Sequence, residues 1–355
     1  MRVVPATAAP AGLADIARRV DARMLTLLDE EIASWSAADC ELTDPLTALR
    51  DLVLAGGKRL RPAFCHWAFV GAGGDPDDAL VIDGGAAIEL LHTFALIHDD
   101  IMDGSSTRRG TDTIHMTFEQ RHALSGWRGE ARRFGEGVAT LVGDLAFVYA
   151  DKLLVAAPPD AVRVFNDLRV EVNVGQYLDL VGTAKGRVGH DAAARISRYK
   201  SGKYTVERPL HLGAALAGRL GEHERSLSDF GLPVGEAFQM RDDLLGVFGD
   251  PAATGKPVGE DLREGKPTVL FATAAQLADS RAAKVLARYG ASDIDDREIG
   301  LLQEVLVATG AVESVERAID ALVAEAVEAL ARASLAPEAR TSLAELAEFV
   351  AGRDR

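Results

Sequence analysis

The sequence predicts an all-α protein: one large helical bundle over residues 13–355, behind an N-terminal tail, residues 1–12, that is expected to be disordered. Apolar residues recur at three- and four-residue steps through most of the chain, and no stretch sustains the two-residue alternation of a half-buried strand. The breaks at 71–75, at Pro158 and Pro159, and at 249–259 are too short to mark a flexible boundary between domains.

The elements follow in order. Leu13, Ile16, Val20, Met24, Leu27, Leu28, Ile32 and Trp35 form one apolar stripe, so the chain opens with an amphipathic helix. Asp44 before Pro45, and Asp75 before Pro76, each set an N-cap acid ahead of a proline at the first helical position, where the missing N–H costs nothing. Each pair is expected to start a helix. Helical periodicity then runs through 136–155, 160–184, 190–219, 222–249, 267–288, 294–309 and 311–333. The stretch 121–133, with Trp127 among its charges, reads as a surface connector, and the remaining C-terminal part as an Ala-rich tail.

Composition narrows the function. With 355 residues, 48% of them hydrophobic, the chain can bury a substantial core without a staple. A formal charge of −15 argues against nucleic acid or an anionic membrane as partner, because both demand a basic footprint. Cys40 and Cys65 make neither a zinc ligand set nor a disulfide framework, which points to a reduced, cytoplasmic setting. The first twelve residues lack the basic start and apolar run of a signal peptide, and no stretch is long and uncharged enough to span a bilayer.

The chemistry concentrates in two acidic clusters. Asp99, Asp100 and Asp103 stand at the end of a strongly apolar helix, facing the negative end of its macrodipole, a placement that costs a few tenths to ~1 kcal/mol without a compensating cation. Asp99 and Asp103 share one face and repel. A hard divalent ion reverses that penalty, since magnesium takes one or two carboxylates and completes its shell with water and phosphate. Later, Asp242 and Asp243 again pair in an apolar helical context, with Gln239 three residues earlier on the face of Asp242. Two such helices facing each other across a bundle could hold metal ions between them.

Metal ions on carboxylates imply an anionic substrate, and glycine-framed cations suggest which. Gly56 and Gly57 lead into Lys58, Arg59 and Arg61; Arg108 and Arg109 precede Gly110; Lys256 lies between Gly255 and Pro257; Lys266 follows Gly265. Glycine permits close backbone approach, and arginine presents a fork matched to phosphate oxygens. Charged clusters separated by apolar helices imply a diphosphate with a hydrocarbon tail, whose departing charge would be stabilised electrostatically as its C–O bond breaks.

In this order, from about residue 45 to 267, these residues resemble the trans-type isoprenyl diphosphate synthases, the polyprenyl synthetase family. The resemblance implies a helical bundle with a central apolar cavity, usually a homodimer. It implies that Asp99, Asp103 and Asp242 bind a magnesium cluster on the allylic diphosphate, with Asp100 and Asp243 in the same motifs. Lys58, Arg61, His92 and Arg109 match the isopentenyl diphosphate site. Arg108, Lys200, Ser201, Gln239, Lys256 and Lys266 match the allylic side, which takes a dimethylallyl, geranyl or farnesyl diphosphate. The implied reaction ionises the allylic substrate, adds it to the double bond of isopentenyl diphosphate, and loses a proton. Phe94, about one and a half turns or ~7.5 Å of helix rise before Asp99, would act as a floor for the growing chain. An aromatic there, with no insertion between Asp99 and Asp103, resembles one class of geranylgeranyl diphosphate synthases and implies a C20 product.

The pattern departs from the family at three places. Gly246 stands where a third aspartate is usual, leaving the third metal to Asp242, water and diphosphate; Ser201 replaces a common threonine; Pro267 replaces a frequent basic residue. The alternatives are a farnesyl diphosphate synthase, a class I terpene cyclase and a non-catalytic partner subunit of a heteromeric synthase. A cyclase has no use for Lys58, Arg61 and Arg109 together, and a non-catalytic subunit is expected to lose the first cluster.

Overall fold

The computed structural model describes residues 10, 12–185, 189–249 and 259–352. Lys256 and nearly all of the expected N-terminal tail lie outside the described residues.

Helix α1 (Leu13–Ala38) buries Leu13, Ile16, Val20, Met24, Leu27 and Leu28, as its stripe dictates, while Trp35 at its far end remains 47% exposed. A short turn, Cys40–Leu42, leads into α2 (Thr43–Leu54), so Asp44 sits inside the first turn and pairs with Arg121 instead of capping. After α3 (Leu60–Gly71), the second Asp-Pro pair forms a turn rather than a helix start. Asp75 accepts the Asp77 N–H at 3.0 Å, and the cap passes to Asp78, which accepts the Leu80 N–H at 2.9 Å and opens α4 (Ala79–Asp103). The hairpin β1 (Thr107–Arg108) and β2 (Thr111–Asp112) connects to α5 (Ile114–Leu124) and α6 (Ala131–Leu153). The exposed link between these two helices is the expected connector, with Trp127 packed on His122 and Phe134.

Next come α7 (Pro159–Lys185), α8 (His190–Ser197), a π-helix (Arg198–Glu207), α9 (Arg208–Leu216) and α10 (Leu220–Phe248). The single helix expected over 190–219 is therefore three elements. Beyond α11 (Glu260–Glu264) lie α12 (Val269–Leu277) and α13 (Ser280–Leu286), split because Asp279 caps a new start by accepting the N–H groups of Arg281 and Ala282. The chain ends in α14 (Asp296–Ala308), α15 (Ala311–Arg332) and α16 (Pro337–Gly352). The last is the Ala-rich tail, a helix that buries Leu343, Leu346, Ala347 and Val350. It docks on α3, where the Ala336 N–H reaches the Gly71 carbonyl at 3.0 Å.

Among the described residues two large apolar clusters result, beside a small one of Ala193, Val269 and Ala272. The first gathers α1, α3, α4, α6, α7, α9 and α16 around Phe64, Phe165 and Phe230, each worth roughly 1.5–3 kcal/mol when fully buried. The second joins the later half of α10 to α12, α14 and α15 through Leu244, Leu270, Leu302 and Ile319. Helix α10 feeds both, by Val234 and Phe238 on one side and Ala237 and Leu244 on the other. Among the described residues α4 is the one helix long and apolar enough to cross a membrane, and it is mostly buried as the central helix of the fold.

Candidate active site

Helix α4 ends at Asp103 with Gly104 in the left-handed region as its C-cap, so all three carboxylates occupy its last turn. Their partners differ. Asp99 Oδ1 accepts from Gln176 Nε2 at 2.8 Å and from Lys200 Nζ at 3.2 Å. Burial opposes its ionisation, yet Lys200, Lys266 and Arg108 hold it below the usual carboxylate range. Asp100 is buried and takes Arg108 through Nε at 2.9 Å and through Nη2. Asp103 Oδ2 is buried with no hydrogen-bond partner among the described residues, and the Lys266 ammonium lies 3.9 Å away. Burial and the Asp99 charge push Asp103 up to about 6.

Across a pocket from Asp99 stand Asp242 and Asp243 of α10, with Lys200, Ser201, Gln239, Asp261 and Lys266 completing the walls. Asp243 is buried and accepts Gln239 Nε2 at 2.7 Å, a bond within the helix. Burial pushes Asp243 up to about 8, aided by the charges of Asp261 and Asp242. Lys266 lies among Glu264 at 2.8 Å, Asp261 at 3.4 Å and Asp103, and these acids raise it well above its ordinary value against the effect of burial. Lys200 bridges Asp99 and Asp179, the latter at 2.5 Å. The cations thus occupy, from opposite sides, the space between two acidic helices.

A second cationic group lies beside α4. Of the three cations expected on the turn after α2, Arg59 faces inward: it bonds Asp21 at 2.7 Å, Glu89 at 2.8 Å and the Val53 carbonyl at 2.8 Å, a strut that fixes the turn. Lys58 stays exposed. Gly57 lets Arg109 approach, since a Cβ there would lie 3.3 Å from its Nη2. Arg61 lies 4.5 Å over the Tyr204 ring and reaches Thr205 Oγ1 at 3.1 Å. His92 is held well below its ordinary value by burial and by Arg61, Arg109, Arg59 and Arg108, so it is a neutral imidazole among guanidinium groups.

An apolar cavity adjoins the charged pocket. Phe94, Ala95, His98, Met102, Val172, Asn173 and Gln176 line it, and Asp99 lines both spaces. The Phe94 ring packs 4.9 Å from that of Phe147 and 4.5 Å from that of His98. Asp99 is thus shared by a charged pocket and a mixed cavity whose apolar lining comes from Phe94, Ala95, Met102 and Val172.

Residues 45–305 match the polyprenyl synthetase family. The chain belongs to that family. This prenyltransferase is 34% identical over 274 residues to a geranylfarnesyl diphosphate synthase of Aeropyrum pernix, covering 75% of this chain and 80% of that protein. It is 32% identical over 336 residues to a short-chain isoprenyl diphosphate synthase of Methanothermobacter thermautotrophicus, covering 92% and 96%. Among solved structures it superposes with a TM-score of 0.89, at 36% identity, on a geranylgeranyl pyrophosphate synthase of Corynebacterium glutamicum complexed with isoprenyl diphosphate and magnesium, covering 96% of this chain and 99% of that one.

Within the prenyltransferase, the polar residues Asp179, Ser197, Asp261 and Thr268 line the charged pocket and were missed by sequence reasoning, as were Gln176, which bonds Asp99, and Glu264, which pairs with Lys266. Asp179 had a readable signal. It falls on the buried stripe Leu168, Val172, Gly175, Asp179 and Gly182 of α7, where an acid is unexpected without a partner. Asp261 and Glu264 sit on a five-residue helix too short to show any period.

Proposed function

We propose that this prenyltransferase joins isopentenyl diphosphate head-to-tail to a dimethylallyl, geranyl or farnesyl diphosphate, with magnesium, and releases the C20 product geranylgeranyl diphosphate. The observation that carries the reading is Asp99, which borders both the charged pocket and the cavity that Phe94 lines. A diphosphate in the one would send its tail into the other.

In this reading Asp99 and Asp103 on α4, and Asp242 on α10, hold the metal ions. The fit is supported by Asp103 Oδ2, which is buried and has no hydrogen-bond partner among the described residues. Magnesium takes one or two carboxylates and fills its shell with water and phosphate, so it asks no more of the protein than Asp99 with Asp103 on one helix and Asp242 on the other. Magnesium, when bound, supplies Lewis-acid stabilisation of the departing diphosphate. Arg108, Lys200 and Lys266 hold the same phosphates from the protein side, aided by Ser201, Gln239 and Lys256, and Asp100 and Asp243 fix Arg108 and Gln239. The allylic C–O bond breaks with its electron pair going to the diphosphate, the double bond of isopentenyl diphosphate attacks the cation, and a proton passes from the new adduct to the released diphosphate. Lys58, Arg61, Arg109 and the neutral His92 anchor isopentenyl diphosphate, a site that a cyclase would not need. Residues 13–355 act as one domain in this reading, since α10 belongs to both apolar clusters. The working form is a homodimer. Two free cysteines, Cys40 and Cys65, suit the cytoplasm.

The test is incubation of the purified protein with labelled isopentenyl diphosphate, Mg²⁺ and each allylic starter, followed by chromatography of the products. A C20 product is expected. No elongation from any starter would reject condensation.

A further inference from the structure

The Lys266 ammonium can reach the pocket only while its backbone begins at the right place, and that backbone belongs to a short loop, residues 265–268, between α11 and α12. A second segment, residues 287–291 after α13, holds the loop from behind. The Tyr289 hydroxyl donates to the Lys266 carbonyl, which also accepts the Thr268 N–H at 2.8 Å. The Tyr289 ring stacks on Phe271 of α12, with centroids 3.7 Å apart and planes 17° from parallel. Gly290 donates its N–H to the Leu262 carbonyl of α11 at 3.0 Å. Gly265 and Gly290 meet backbone to backbone: both have positive φ, and a Cβ on either would lie 2.8 Å from the Cα of the other. Arg288 ties the segment in turn to Glu298 of α14 at 2.7 Å. One strap therefore grips α11, the loop and α12 together. Pro267 restricts Lys266 before it to extended backbone, so a bond to the Lys266 carbonyl fixes where its side chain starts. A phenylalanine at 289 would make the same ring stack; the hydroxyl adds the bond to Lys266.

We infer that Tyr289 is a positioning residue for the allylic diphosphate site, its hydroxyl and its ring fixing the loop from which Lys266 enters the pocket. The inference rests on the reading above, in which Lys266 holds the allylic diphosphate, and deepens it by naming what holds Lys266. The residues assigned to isopentenyl diphosphate come from the turn after α2, from α3, α4 and the hairpin, so the two substrates should respond differently to a change at 289.

Tyr289→Phe keeps the ring and deletes the donor. In the full chain with Mg²⁺ it is expected to raise KM for the allylic diphosphate about fivefold, the scale of one hydrogen bond, and to leave KM for isopentenyl diphosphate at the wild-type value. Dimethylallyl thiolodiphosphate, an analogue that resists ionisation, should show the same loss as a weaker Kd in calorimetry. Lys266→Ala supplies the second arm: adding Tyr289→Phe to it should weaken allylic binding no further, because residues that act through one another are not additive. A Tyr289 that served only the fold would lower the melting temperature and move both KM values together. Wild-type allylic KM and Kd in Tyr289→Phe, an equal rise in both KM values, or a full additional loss in the Lys266→Ala background would each overturn the inference alone. A wild-type chain that binds the analogue but elongates no starter overturns the functional reading, while calorimetry still decides for or against Tyr289; one that does not bind the analogue overturns both.

Discussion

Asp99 and Asp100 are neighbours on α4 whose carboxylates serve different partners: Asp99 faces Lys200 and the pocket, and Asp100 is buried against Arg108. Asp100→Asn keeps the shape and removes the charge, leaving a guanidinium that is only 14% exposed without its counter-ion, a loss on the order of 3 kcal/mol for a buried pair. The variant is expected to melt lower and to raise KM for the allylic diphosphate about tenfold through a displaced Arg108, a loss of about 1.4 kcal/mol in binding. Unchanged melting together with unchanged KM would show that the pair positions nothing. Phe94 offers the second residue-scale test. Its ring borders the cavity one and a half turns below Asp99, and tight interiors resist the overpacking that a longer chain would force. Phe94→Ala should lengthen the products by at least one isoprene unit; an active variant with an unchanged product distribution would place the floor elsewhere. The positions of Asp99, Asp103 and Phe94 were legible because they lie on one helix, where spacing fixes geometry. That Asp100 turns inward was not, because its partner lies beyond the helix end on a hairpin that spacing does not orient.

At the scale of elements, the π-helix Arg198–Glu207 brings Lys200 and Ser201 to the pocket, and two glycines set how close it can come. A Cβ on Gly175 of α7 would lie 2.5 Å from the Lys200 nitrogen, and one on Gly235 of α10 would lie 2.4 Å from the Gly202 carbonyl oxygen. Glu171 ties the outer side, accepting Lys203 at 2.8 Å and Arg208 Nε at 2.7 Å. Gly235→Ala forces the π-helix away from α10, and because a displacement near 1 Å can cost about a hundredfold, kcat should fall at least tenfold. Alanine favours the α-helix by up to about 1 kcal/mol over glycine, so circular dichroism should report a folded protein. Wild-type kcat in a folded Gly235→Ala would remove the close approach from the mechanism. The sequence carried this region as one helix over 190–219. A wider turn changes which residues share a face without changing which are apolar, so periodicity detects the helix and misses its winding.

For the molecule as a whole, the unexplained surface lies on α6 and α7. Leu141 and Val148 on α6, and Val170, Val174 and Tyr177 on α7, leave large apolar side chains exposed, Tyr177 by 67% and Leu141 by 64%. Their spacings of seven, four and three residues put each set on one face of its own helix, so each helix carries an exposed apolar group on one side. The periodicity of α7 was legible, but the exposed apolar residues on its second face have no partner among the described residues to reveal their purpose. A second copy is the occupant that matches the homodimer proposed above, because a two-fold axis lets one patch cover itself. The position also bears on catalysis: α7 turns Tyr177 outward while Gln176 and Asp179 on the same turn hold Asp99 and Lys200. Docking a partner on Tyr177 would stiffen the turn that carries both pocket contacts. If the proposed homodimer buries these residues, Leu141→Glu combined with Val170→Glu sets like charges at its interface and should give a monomer in sedimentation while leaving the fold intact. Turnover in that monomer should fall, and partial recovery at high protein concentration would tie the loss to association. A wild-type chain that sediments as a monomer at micromolar concentration, or a double variant that remains dimeric, would assign these exposed apolar residues to some other contact.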